Sequence, residues 1–241
     1  MPRRWRRRAY PKYPDYISAE ERRRRLEKER ARFATPEAVR VAGRQIAQTF
    51  WGQAWCRNLE RYSDLANRLP RGRTYVRSGA VLQLSIEPGV VRARVMGTSL
   101  YRVTVEILPL PAKRWLAIKQ DCAGRIDSVV ALLEGKLPPH VMEVVTREGT
   151  GLFPAPGEIA FDCTCPDFAR LCKHIAALLY GVGVKLDQQP ELLFALRGVD
   201  HHELVAEAPR LWQSAPSGYR RVEGDLSSIF GVEIAEEDRM E

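Results

Sequence analysis

The chain has 241 residues, 45% hydrophobic and 28% charged, a composition that fits a soluble globular protein with one good core or two small ones. Its longest uncharged apolar run, Ile175 to Val184, spans ten residues, too short for a bilayer. No apolar stretch follows the five arginines of Met1 to Arg8, so an export signal is not expected and a cytoplasmic setting is. The net charge of +8 is unevenly placed: residues 1–32 carry +8, residues 40–79 carry +6 and residues 80–241 carry −5. A strongly basic first third on a mildly acidic remainder points to contact with a polyanion.

Taken in chain order, residues 1–36 read as a basic arm with one charged helix. Ser18 and Glu21 make a capping box, and the helix runs to about Phe33 without an apolar face broad enough to pack on a core. Residues 40–148 read as an α+β domain. From Gly43 to Tyr62, Ala47, Trp51, Trp55, Leu59 and Tyr62 recur at helical spacing, and core packing rather than a ligand platform is their expected role. Residues 73–108 read as a four-stranded antiparallel meander near 73–77, 81–86, 91–97 and 101–108. Alternation sends Thr74, Val76, Leu82, Leu84, Ile86, Val91, Ala93, Val95, Tyr101, Val103, Val105 and Ile107 inward. Arg73, Tyr75, Arg77, Arg92, Arg94, Arg102 and Glu106 then share the outer face, with Arg92 and Glu106 as cross-strand neighbours. One helix is expected over 113–134, a shorter one around Val141 to Thr146, and a Gly/Pro linker from Gly149 to Gly157. Short helices follow at about 190–197 and 200–207, within a segment 186–222. An acidic tail at 223–241 carries seven acids and one arginine.

The chemistry concentrates in residues 155–185. Cys163, Cys165, Cys172 and His174 form a C-x-C-x6-C-x-H pattern that uses three of the five cysteines and one of only four histidines. Ile159 to Cys163 is β-like, so Cys163 and Cys165 can project to one side, and Pro166 turns the chain after them. Ile175, Leu178, Leu179 and Val182 mark a helix. Cys172 must lie at or before its cap, with His174 in the first turn, for both to converge. Three thiolates and one imidazole suit Zn²⁺, and the helix N-terminus with Arg170 and Lys173 offsets the surplus negative charge. Four protein ligands fill a tetrahedron, so the site is expected to be structural.

This pattern resembles the SWIM zinc finger, a module of bacterial Swi/Snf-type ATPases, plant mutator-type transposases and recombination factors. Phe161, Pro166, Asp167 and the run His174 to Tyr180 also resemble it. The rest of the chain is similar to stand-alone bacterial SWIM proteins, in which a segment like Trp51–Cys56 precedes one like Leu69–Arg73. The resemblance implies zinc at the four ligands, DNA binding or protein contact, and work beside a Swi/Snf-type helicase.

Two functional expectations follow. In one, the protein binds nucleic acid, DNA first among them, through Arg71, Arg73, Tyr75, Arg77, Arg92, Arg94, Arg102 and Lys173, since cations neutralise phosphates and tyrosine stacks on bases. In the other, it is an adaptor docking on a Swi/Snf-type ATPase, helped by a motif from Leu226 to Phe230. Independent catalysis is not expected: there is no phosphate loop and no nucleophile elbow, and Ala206 stands where a His202–Glu203 metalloprotease motif needs its second histidine. Asp200, His201 and His202 read as the opening of a helix rather than a second metal site.

Overall fold

A computed structural model of the chain describes residues 17–33, 38–41, 43–61, 68–167 and 169–206. The Arg/Tyr-rich start and the acidic tail, with its Leu226 to Phe230 motif, lie outside them. Helix α1 (Ala19–Arg32) starts where the capping box places it, the Ser18 hydroxyl accepting from the Glu21 N–H at 3.1 Å. It buries none of its residues. Arg30 ties it to the body by donating to the carbonyls of Ser78 and Gly79.

Helix α2 (Phe50–Glu60) begins later than the periodicity from Gly43 suggests. The Asp187 carboxylate accepts from the N–H groups of Gln48 and Thr49 and from the Thr49 hydroxyl, at 2.8–2.9 Å. That fixes an extended entry, with Thr49 as N-cap. The aromatic stripe is core from Ala47 to Leu59, and Tyr62 lies outside the described residues. Trp51, Trp55 and Leu59 are fully buried, and the indole N–H groups of Trp51 and Trp55 donate to the carbonyls of Leu132 and Leu179 at 2.9 and 2.7 Å.

Residues 73–77, expected as a strand, belong instead to helix α3 (Leu69–Arg77). Pro70 sits in its first turn, where no intrahelical N–H is needed. Leu69, Gly72 and Val76 are buried at helical spacing. Ser78-Gly79 is therefore a helix cap rather than a strand turn. Gly79, at φ +66°, donates to the Val76 carbonyl and Ala80 to that of Tyr75, which is the Schellman arrangement. Alternation misled because Thr74 and Val76 fit a period of two as well as a helix end.

The sheet nevertheless has four antiparallel strands: β1 (Val81–Glu87), β2 (Val90–Met96), β3 (Leu100–Ile107) and β4 (Ile159–Cys163), in that spatial order. The fourth strand comes from the cysteine-rich segment. Leu84, Ala93, Val103 and Cys163 form one cross-strand row, and Ile86, Val91, Val105 and Phe161 the next. The inward set expected for 81–107 is buried or, for Ile86, half-buried. Arg92 faces Thr104 and Glu106 faces Val90, so these two charges are diagonal rather than paired. The three-residue loop that joins Met96 to Leu100 sets this register. Arg92 pairs instead with Glu87, at 2.7 Å.

The helix expected over 113–134 is two: α4 (Ala112–Cys122) and α5 (Val129–Glu134), the latter capped by Ser128. Then come α6 (Pro139–Thr146), α7 (Lys173–Leu186), α8 (Glu191–Leu196) and α9 (Glu203–Ala206). Helix α7 is the axis of the molecule. It lies on the inner face of all four strands, and α2 and α3 pack on it. Twelve of its residues are buried, which explains why it is apolar all round. The segments 40–148 and 155–185 thus share one sheet and one core.

Candidate metal centre

Four donors converge where β4 meets α7. Cys163 ends β4 on the inner face, opposite Val103. Thr164 prolongs the pairing, its N–H donating to the Arg102 carbonyl at 3.1 Å. Cys165 follows in the turn. Asp167 braces that turn by accepting from the Ala169 N–H at 3.1 Å and pairing with Arg68 at 3.4 Å. Cys172 is the N-cap of α7, extended at φ −88°, ψ 168°, its Sγ accepting from the Ile175 N–H. His174 lies in the first helical turn, as convergence requires.

Nδ1 of His174 stands 3.9 Å from Cys163 Sγ and 3.8 Å from Cys172 Sγ. All four donor atoms lie within 4.8 Å of one another, and none of the cysteines is in a disulfide. Residues 162–182 match the SWIM zinc finger family. The chain is also similar to the uncharacterized protein Rv2102 of Mycobacterium tuberculosis, 35% identical over 177 residues that cover 71% of this chain and 64% of the relative. No solved structure matches the chain.

The SWIM finger's donors fit zinc. Tetrahedral Zn²⁺ with ordinary bond lengths sets sulfur and nitrogen about 3.6 Å apart, a contraction of a few tenths of an ångström from the separations above. The electrostatics suit it too. A hydrogen bond from the Cys163 thiol, joined by His174 and the Ile175 N–H, pulls Cys172 down to about 4. Donating that hydrogen bond, together with burial, pushes Cys163 well up, and burial raises Cys165. The N-terminus of α7, with its positive partial charge, favours the thiolate form of Cys172 that a metal needs. Cys163, Cys165, Cys172 and His174 would hold the ion, which supplies a cross-link between β4 and α7 and, with four protein donors, leaves no vertex for an activated water.

The finger is walled by residues that spacing alone does not reveal. The His174 ring is 3% exposed and packs on Tyr101, 4.5 Å away, and edge-on to Tyr75, at 5.4 Å. Its Nε2 points toward Gly97 and has no hydrogen-bond partner among the described residues. Only the local apolar alternation of Tyr101 hinted at this burial.

The residues expected to touch nucleic acid divide into two groups. Arg71, Arg73, Tyr75 and Arg77 are on α3, not on the sheet, because 69–77 is helical. Tyr75 is half-buried between His174 and Lys173, whose Nζ sits 5.7 Å above its ring, so it is not a free stacking surface. Arg73 donates to the Tyr180 hydroxyl at 2.9 Å and pairs with Glu60. Arg77 donates to the Arg44 carbonyl at 2.6 Å. Arg92, Arg94 and Arg102 do share the outer sheet face, with Arg94 directly opposite Arg102. The Asp200, His201 and His202 donors also lie within 4.8 Å of one another. Asp200 accepts from the His202 N–H at 2.9 Å just before α9, so that carboxylate is already part of a helix opening.

Proposed function

We propose that the protein binds nucleic acid, DNA in the first instance, on a scaffold clamped by the zinc finger, and performs no chemistry of its own. The observation that carries this reading is where the basic third folds. Arg40, Arg44, Arg57 and Arg71 are all exposed on or beside α2 and α3, the helices packed on α7, and none has a carboxylate partner among the described residues. Guanidinium groups left without counter-charge are poised for phosphate, which they meet as a planar fork. A closed Cys3His set supports a structural metal, and reduced thiols fit a cytoplasmic setting.

Fluorescence anisotropy of the zinc-loaded chain with labelled DNA and RNA oligonucleotides over a salt series tests it. We expect binding that weakens steeply with salt. Affinity that stays flat across the series, or none at low salt, sinks the reading.

A second reading draws on β4. Among the described residues it is an edge strand with one unpaired side, and a groove lined by Phe161, Asp162, Asp167 and Arg170 runs along it. Such an edge can take an added strand from a protein partner. The Swi/Snf-type ATPase is the partner proposed here, and co-purification with that ATPase but not with DNA would select the adaptor.

A further inference from the structure

The chain offers nucleic acid two arginine surfaces, and the fold distinguishes them. On the outer sheet face, Arg92 is matched by Glu87 at 2.7 Å. Asp162 continues the Arg92–Thr104 row, and Glu106 shares the next row with Glu87. The face thus carries three cations and three acids, Arg94 and Arg102 in one row and the acids in the two rows beyond it, so a polyanion spanning the face would meet little net charge.

The opposite situation holds around α3. A groove of about 340 Å³ between the 44–47 segment, α2 and α3 is lined by Arg44, Arg57, Arg73 and Arg77, with Glu60 as its one lining acid among the described residues. Glu60 is already engaged: Arg73 pairs with it, and the Tyr180 hydroxyl donates to it at 3.0 Å. Arg77 also lines a second groove of about 370 Å³ with Arg30 and Arg40, and among the described residues no acid lines that one. Arg77 lines both grooves, and its guanidinium donates to the Arg44 carbonyl. Asp187, the C-cap of α7, is engaged at the N-terminus of α2 by the N–H groups of Gln48 and Thr49.

The geometry points to this double groove, running from Arg40 past Arg77 to Arg57, as the track for a nucleic-acid phosphate backbone. The inference rests on the nucleic-acid reading above and replaces the outer sheet face with the α3 side. A small anion would want a closed pocket with a few converging donors, whereas these cations are strung along an open channel built by three segments. Arg73 and Arg77 are fixed by their partners and act as the walls. Arg40, Arg44 and Arg57 are exposed, lack carboxylate partners among the described residues, and supply the mobile contacts.

The test compares three full-length zinc-loaded variants with the unaltered chain, using fluorescein-labelled single-stranded and duplex DNA over a salt series. Replacing Arg40, Arg44 and Arg57 together by Ala should weaken binding at least about tenfold and flatten the single-strand salt slope by about 2. Replacing the same three by Lys should restore most of the affinity, which separates lost charge from lost fold. Replacing Arg92, Arg94 and Arg102 by Ala should change affinity by less than about threefold. Loss confined to the sheet variant, or a groove variant that binds like the unaltered chain, overturns the track and leaves the nucleic-acid reading standing. An unaltered chain that binds no DNA overturns both. Polyglutamate displacing DNA at equal charge concentration would show an acidic protein segment to be the ligand instead.

Discussion

Cys172 carries two duties that a single substitution can separate. It caps α7 by accepting the Ile175 N–H, and it offers a thiolate to the metal. Serine is a good N-cap, so Cys172→Ser should keep the helix start and lose stoichiometric zinc, with a clear fall in melting temperature. Unchanged zinc content by atomic emission would show the donor set to be wrong. A second cysteine behaves differently. Burial, with Glu60 and Asp187 adding, pushes Cys56 up to about 12 from an ordinary value of 9.0. Between those values the unfolded chain gives up a proton that the fold retains, so stability falls as pH rises above 9 and is fully present below it. At pH 10 this one group should remove about 1 kcal/mol. Denaturant titrations at pH 8 and pH 10 should show the loss in the native chain and a smaller one in Cys56→Ala.

At the level of elements, the contacts of α2 and α3 with α7 depend on absent side chains. A Cβ at Gly72 would lie 2.5 Å from the Ala176 Cβ, and one at Gly52 would lie 2.5 Å from the Gly183 carbonyl oxygen. Neither α7 backbone nor a buried methyl can move aside in a close-packed interior. Gly72→Ala should therefore destabilise the protein by about 1–3 kcal/mol despite alanine's better helix propensity. Equal or greater stability in that variant would show that the helices are not held as described. The Trp51–Cys56 and Leu69–Arg73 segments thereby gain a physical meaning. Each presents a glycine to α7, while Trp55 anchors to the Leu179 carbonyl and Arg73 to Tyr180. The helical spacing of Trp51, Trp55 and Leu59 was enough to reveal α2 as a core helix. That of Leu69, Gly72 and Val76 was not, because a glycine carries no hydropathy signal and its burial only registers once α7 lies against it.

For the whole molecule, the zinc finger is not an appendage. Its strand closes the sheet, and its helix is the core against which the helices and the sheet pack. Metal loss should therefore be felt far from the ligands. Chelation is expected to lower the melting temperature of the entire cooperative unit and to speed hydrogen exchange in β2 and β3. A chelated protein whose strands exchange as slowly as before would show that the sheet stands without the metal. Among the described residues, no helix is long and apolar enough to cross a membrane.

The Cys163, Cys165, Cys172 and His174 set was readable from the chain alone because its members sit within twelve residues, close enough for local backbone geometry to dictate convergence. The same holds for the Ser18 cap, fixed by its three-residue spacing to Glu21, and for the inward faces of β1 to β3 and the helical stripe of α2, fixed by a period of two or of 3.6. What only the tertiary structure decided is long-range. The fourth strand comes from residues 159–163 rather than 73–77, Tyr75 turns toward His174 instead of solvent, and Arg40, Arg44 and Arg57 line two grooves that share Arg77. Pairings across such separations leave no period in the sequence, since they are chosen by which buried surfaces fit together once the chain has collapsed around α7.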